Sequence, residues 1–183
     1  MKSFIALLLI GISLQVSAQG KYFTRNGTIT FFSSTPVEDI KAENFGVMAI
    51  LDAETGQLEF SLLMKSFNFK KALMQEHFNE NYVESDIYPK STFKGEVLNL
   101  SDIDFSAPGT YPVQVKGQLT IHGETRDVTT DGEIVVSEKG VALKAEFPVK
   151  PADYKIEIPK VVENKIAQEI LVTVSTELEP FKR

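Results

Sequence analysis

The 183-residue sequence contains no cysteine and no tryptophan, and only two histidines, His77 and His122. Without thiols there are no disulfides, no thiolate nucleophiles and no zinc–thiolate sites. Two histidines leave little material for a metal site or a histidine relay, so neither a metal nor another cofactor is expected. Basic residues are outnumbered, 19 Lys and Arg against 25 Asp and Glu. They form no cluster that would release counterions from phosphate, so no nucleic-acid partner is expected. Enzyme motifs are missing as well: there is no G-x-S-x-G elbow, no H-E-x-x-H pair and no glycine-rich loop leading into a helix. With 43% hydrophobic residues, a chain of this length can bury the core of one globular unit.

Long apolar runs are also scarce, and the one at the start carries its own signature. Lys2, the run Phe4 to Leu14 and the small residues Val16, Ser17 and Ala18 form the three regions of a secretory signal peptide. The expected cut follows Ala18, leaving residues 19–183 as one exported domain, periplasmic or secreted. The run is about half of the roughly 20 residues that a membrane helix needs, so no transmembrane segment is expected. No cysteine follows the cut to carry a lipid anchor. Lys2 is the only charged residue removed, so the net charge goes from -6 to -7.

Beyond the signal the apolar period is two. Leu58, Phe60, Leu62 and Met64 alternate with Glu59, Ser61 and Lys65, the mark of a strand with one wet face. The same pattern recurs at Phe93 to Val97, Val113 to Ile121, Val141 to Phe147 and Ile170 to Val174. With residues 28–34, 45–53 and 127–137 this makes about eight strands. Short turns at 53–56, 122–124 and 138–140 join them tightly, which predicts an all-β, eight-stranded antiparallel barrel of meander type. One stretch departs: residues 70–85 lack Gly and Pro and place Met74, Phe78 and Tyr82 at helical spacing. It is expected to form a helix or two short helices crossing one end of the barrel, and a further helical turn is expected at 37–43.

A small exported barrel can turn its apolar face to lipid or to its own interior. Here the aromatic girdles of a membrane barrel are missing and the phenylalanines lie within or beside strands, so the charged faces are expected in water. Gly95, Gly117, Ala145 and Ala49 fall on the inward faces. They either leave room for a ligand or offset the bulk of the Phe side chains in a filled core.

Two segments carry a family likeness. Glu76-His77-Phe78 through Tyr88-Pro89 to Phe93-Lys94-Gly95, followed by Gly117-Gln118-Leu119-Thr120-Ile121-His122-Gly123-Glu124-Thr125-Arg126-Asp127-Val128, resembles the YceI-like family. The form of the first segment is similar to a sub-group from Bacteroidetes-type bacteria. Thr24 to Ile29 stands where the family has a D-x-x-H-S strand, and Phe147 to Pro151 lacks the arginine usual there. The resemblance implies a lipocalin-like barrel, exported, with an apolar cavity holding a polyisoprenoid or similar amphiphile and no catalytic residues. On that basis the ligand-binding residues are expected to be Phe45, Phe60, Leu62, Phe67, Phe69, Phe93, Val115, Leu119 and Phe147, with Met74 and Phe78 near one end. A filled barrel acting through its surface as a periplasmic interaction or stress-response module is the alternative. His77, Glu80 and Glu84 share a helical face, read as capping and solvating the helix with Lys70 and Lys71 rather than as a metal cluster. Glu80 and Asp86 are a carboxylate pair that could meet in space, and His122 is read as a turn residue bonding nearby backbone or water.

Overall fold

A computed structural model describes residues 20–181; the expected signal peptide and its cut after Ala18 lie outside the described residues. The chain forms β1 (Lys21–Ser34), β2 (Asp39–Asp52), β3 (Gln57–Leu63), a two-residue β4 (Asn68–Phe69), β5 (Lys90–Val97), β6 (Gly109–Ile121), β7 (Glu124–Ser137), β8 (Gly140–Val149) and β9 (Ile170–Pro180). Every pairing is antiparallel. Around the sheet the order is β1, β9, β8, β7, β6, β5, β3, β2, and β2 returns to β1 to close an eight-stranded barrel. The short β4 sits on the far end of β2, with Phe69 opposite Ala42. Closure removes both sheet edges, the usual liability of an all-β chain.

The alternation read from the sequence sets which side faces in. On β6 Val113, Val115 and Leu119 are buried while Gln114, Lys116 and Gln118 are exposed. The turns follow local chemistry. His122 and Gly123 adopt left-handed φ values of 52° and 75°, which suits the two-residue hairpin between β6 and β7. Between β2 and β3 the Asp52 carboxylate accepts the N–H groups of Glu54 and Thr55 at 3.0 and 3.1 Å.

Two expectations need correction. Both β1 and β2 begin well before residues 28 and 45, and no helical turn occupies 37–43, because Thr35 Oγ1 accepts the Val37 and Glu38 N–H groups and turns the chain straight into β2. The segment 70–85 is helical in two short pieces, as expected: α1 (Ala72–His77) runs into a wider turn at Phe78–Tyr82, closed by the Val83 N–H on the Phe78 carbonyl. Finally, β1 and β2 are bulged. Opposite the three-residue step from Val47 to Asn44 on β2, β1 advances only from Gly27 to Ile29, and β1 in turn carries an extra residue between Thr24 and Gly27. A bulge reverses the in–out parity of whatever follows it.

Two apolar clusters fill the barrel. One closes an end around Leu51, Ile134, Val141 and Leu178. The other, around Val47, Met64, Phe67 and Val83, underlies the helical segment. A 20-residue connection, 150–169, links β8 to β9 through 3-10 turns at Pro151–Tyr154 and Lys160–Lys165.

Candidate functional site: an apolar cavity in the barrel

Between the closed end and the helical segment lies a cavity of about 520 Å³. Its wall is built from inward side chains of most strands: Ile29 and Phe31 on β1, Leu58, Phe60 and Leu62 on β3, Phe93 on β5, Val113, Val115 and Leu119 on β6, Ile134 on β7, Leu143, Ala145 and Phe147 on β8, and Val172 and Val174 on β9. Met74, Phe78, Tyr82 and Val83 cover it on one side, and Ile156, Ile158, Val162 and Ile166 of the β8–β9 connection cover it on another. Two of the hydroxyls on this wall, those of Ser91 and Ser33, are engaged by the protein's own backbone. Ser91 Oγ donates to the Thr120 carbonyl at 2.9 Å, and Ser33 Oγ accepts the Ala167 N–H at 2.9 Å. The surface offered to a guest is therefore apolar, which favours hydrocarbon over polar solutes.

Of the residues expected to bind ligand, Phe60, Leu62, Phe67, Phe69, Met74, Phe78, Phe93, Val115, Leu119 and Phe147 all line the cavity. Phe45 does not. It is 54% exposed on the outer wall, because the bulge at Phe45–Gly46 places Asn44 and Val47 inward on either side of it. Four rings gather beneath the helical segment: Phe78 lies 5.1 Å from Phe69, 5.4 Å from Phe31 and 5.7 Å from Phe67 between centroids. These spacings suit tilted and edge-on aromatic contacts.

The small inward residues divide into two groups. Gly95 and Gly117 face each other across β5 and β6, and the Phe93 ring lies over both, 2.7 and 2.6 Å from where a Cβ would stand. Their room is already filled. Ala49 belongs to the closed end, whereas Ala145 and Gly132 open directly onto the cavity.

At the lip the lining becomes charged. Lys71 Nζ pairs with Glu38 Oε1 at 2.7 Å. The hydrogen bond from Lys71 holds the Glu38 carboxyl below its ordinary value, against a smaller opposing effect of burial and with help from the charges of Lys71 and Lys165. Lys165 and His77 complete this rim, next to Leu73, which is 60% exposed. Deeper in, burial raises the Tyr82 phenol above its ordinary value, so it stays neutral.

The polar groupings weighed from sequence fall apart or regroup. Lys71 goes to Glu38 rather than to the helix acids, and Asp86 pairs with Lys65, not Glu80. Glu84 adopts φ 43° and leaves the helical face of His77 for His122, whose Nε2 lies 2.7 Å from Glu84 Oε2. His122 thus reaches an acid 38 positions away as well as a backbone carbonyl. Among the described residues no three His, Asp or Glu side chains are grouped as a metal ion would require, and no helix is long and apolar enough to cross a membrane.

Sequence reasoning missed Ile29, Phe31 and the whole contribution of the β8–β9 connection. For β1 the alternation Ile29, Phe31, Ser33 was visible, but Phe32 beside Phe31 blurred it. For residues 156–166, the prolines at 148, 151 and 159 break any period, and only the Ile156, Ile158 repeat hinted at an inward face.

Fold and cavity together define a closed up-and-down barrel that encloses one apolar site. Within that class, a model of the YceI-like domain matches residues 12–178, and the chain belongs to that family. Among solved structures, a polyisoprenoid binding domain from Saccharophagus degradans implicated in plant cell wall breakdown aligns with a TM-score of 0.74 at 14% identity, over 88% of this chain and 99% of that one. Burkholderia cenocepacia BcnA aligns at 0.69 and 14% identity, over 82% and 94%. A Campylobacter jejuni YCEI protein aligns at 0.57 and 17% identity over the full length of both. At such identities the likeness is one of fold. No curated protein matches the sequence.

Proposed function

We propose that the protein is an exported, non-enzymatic binder of a polyisoprenoid or another long-chain amphiphile, held with its tail in the barrel and its polar end at the Glu38, Lys71 and Lys165 rim. The observation that carries this reading is the apolar cavity of about 520 Å³. An apolar cavity of about 150 Å³ already takes up benzene, and ligand pockets commonly run from about 300 to 1,000 Å³. The mechanism is burial: each methylene moved from water to the wall contributes about 0.8 kcal/mol, so ten contribute roughly 8 kcal/mol before the cost of immobilising the chain. The fold of the Saccharophagus degradans domain, described as polyisoprenoid binding, supports the same ligand class. The signal-like residues 1–18 support work in the periplasm or outside the cell, where such a lipid would need cover from water.

Titration with cis-parinaric acid, a fluorescent polyene fatty acid, tests the reading. The expected result is saturable binding at one site per chain, displaced by a long isoprenoid alcohol. Absence of saturable binding by both would overturn it.

A further inference from the structure

Two segments that are not barrel strands cover the cavity: residues 72–83, and residues 156–166 of the β8–β9 connection. They come from distant parts of the sequence, yet both are tied at their bases to one side chain. His122 sits in the β6–β7 turn with its side chain only 10% exposed. Its Nδ1 lies 3.0 Å from the carbonyl oxygen of Tyr154, just before the second segment. Its Nε2 lies 2.7 Å from Glu84 Oε2, just after the first. The Tyr88 ring packs edge-on against the imidazole at 4.5 Å, and it lies 2.6 Å from where a Cβ on Gly123 would stand.

The backbone shows how tightly this junction is drawn. Glu84, His122 and Lys155 have φ values of 43°, 52° and 55°, and they are the non-glycine residues of positive φ among the described residues. Left-handed backbone is unfavourable for side chains of this size, and all three occurrences fall where the three segments meet. Other charges around the ring are accounted for: Glu124 is engaged by Lys155 and, at 3.4 Å, by Arg126. The Lys155 hydrogen bond in turn keeps the Glu124 carboxyl below its ordinary value.

The chemistry of the two contacts then fixes the proton count. A carbonyl oxygen only accepts, so Nδ1 must donate. A neutral imidazole with its proton on Nδ1 presents a bare lone pair at Nε2, and a carboxylate there would face it with another. Both contacts are made together only when one extra proton sits between Nε2 and Glu84. We propose that His122 is a proton-dependent positioning residue, a strap that holds both cavity-covering segments against the barrel while doubly protonated and frees one of them when that proton leaves. Lower pH keeps the cover closed; higher pH loosens it and speeds exchange of whatever the cavity holds. The last clause rests on the binding role proposed above, whereas the strap does not.

The test is hydrogen exchange on the full mature chain, corrected for intrinsic rates, at about pH 5.5 and about pH 8.5, which bracket histidine chemistry. Opening of one of the two tethered stretches, residues 83–88 or residues 151–156, should increase roughly tenfold or more at the higher pH, as expected for loss of a charge-assisted hydrogen bond. In H122Q the pH response should vanish. E84Q serves if H122Q does not fold: an amide can donate to the neutral ring or accept from the charged one, so its opening should be equal at both pH values. A flat response in the wild type, or one that persists in the variants, overturns the strap. A parallel arm follows dissociation of cis-parinaric acid, expected to quicken with pH in the wild type only. If neither this probe nor a long isoprenoid alcohol binds while exchange responds as stated, the binding role falls and the strap stands.

Discussion

Ala145 and Phe45 show how one residue's facing decides whether it can touch a guest. The Ala145 side chain opens onto the cavity from β8, so Ala145→Leu pushes three carbons into space a ligand would use. At about 0.8 kcal/mol per displaced methylene, affinity for cis-parinaric acid should fall by tenfold or more while the melting temperature holds or rises. Phe45→Ser, on the outer wall, should leave affinity unchanged, and a loss equal to that of Ala145→Leu would place Phe45 inside. Gly117 sets the opposite limit. A Cβ there would stand 2.5 Å from Gly95 Cα and from the Lys94 carbonyl oxygen, backbone atoms that cannot step aside. Gly117→Ala should therefore cost about 1–3 kcal/mol in urea unfolding. The facing of Ala145 was legible from period-two alternation, because β8 is regular. That of Phe45 was not: the bulge beside Gly46 adds one residue to β2 and flips every parity argument beyond it. The use of Gly95 and Gly117 was equally hidden, since nothing local says that the Phe93 ring would lie across them.

At the scale of elements, the strands were readable and the covers were not. Alternation and the turns at 53–56, 122–124 and 138–140 placed β3 and β5 to β9. The β8–β9 connection has neither period, and its inward face is defined only by the barrel rim beneath it. The cover formed by α1 is joined to the β1–β2 turn by the Glu38–Lys71 pair. The hydrogen bond from Lys71 holds the Glu38 carboxyl below its ordinary value, so this link is fully present above that ordinary value and is lost as pH falls through the lowered one. Hydrogen exchange in residues 72–77 should accordingly be slower in the wild type than in E38Q near neutrality, and the gap should close in acid. A gap that is unchanged by acid would mean that the pair does not hold α1. Because Lys71 is well exposed, the effect should shrink with added salt.

For the molecule as a whole, what counts is that a closed barrel separates two surfaces. The outer one carries most of the charge, for instance Lys94, Glu96, Lys116 and Asp127, while an apolar stretch on β2 and β3 with Phe45, Met48, Ile50 and Leu63 is exposed. The inner surface is lined by aliphatic and phenyl groups and encloses the cavity. Barrel class, strand direction and an apolar interior followed from composition and periodicity; whether that interior is filled or open depends on volumes summed over eight strands, which no single window of sequence contains. The most direct test of the central claim is native mass spectrometry of the full chain purified from its own host without detergent. The account predicts a mass above that of the mature polypeptide, lost on extraction with organic solvent and accompanied by release of a long-chain amphiphile. Polypeptide mass alone, together with no uptake of an added isoprenoid alcohol, would contradict it.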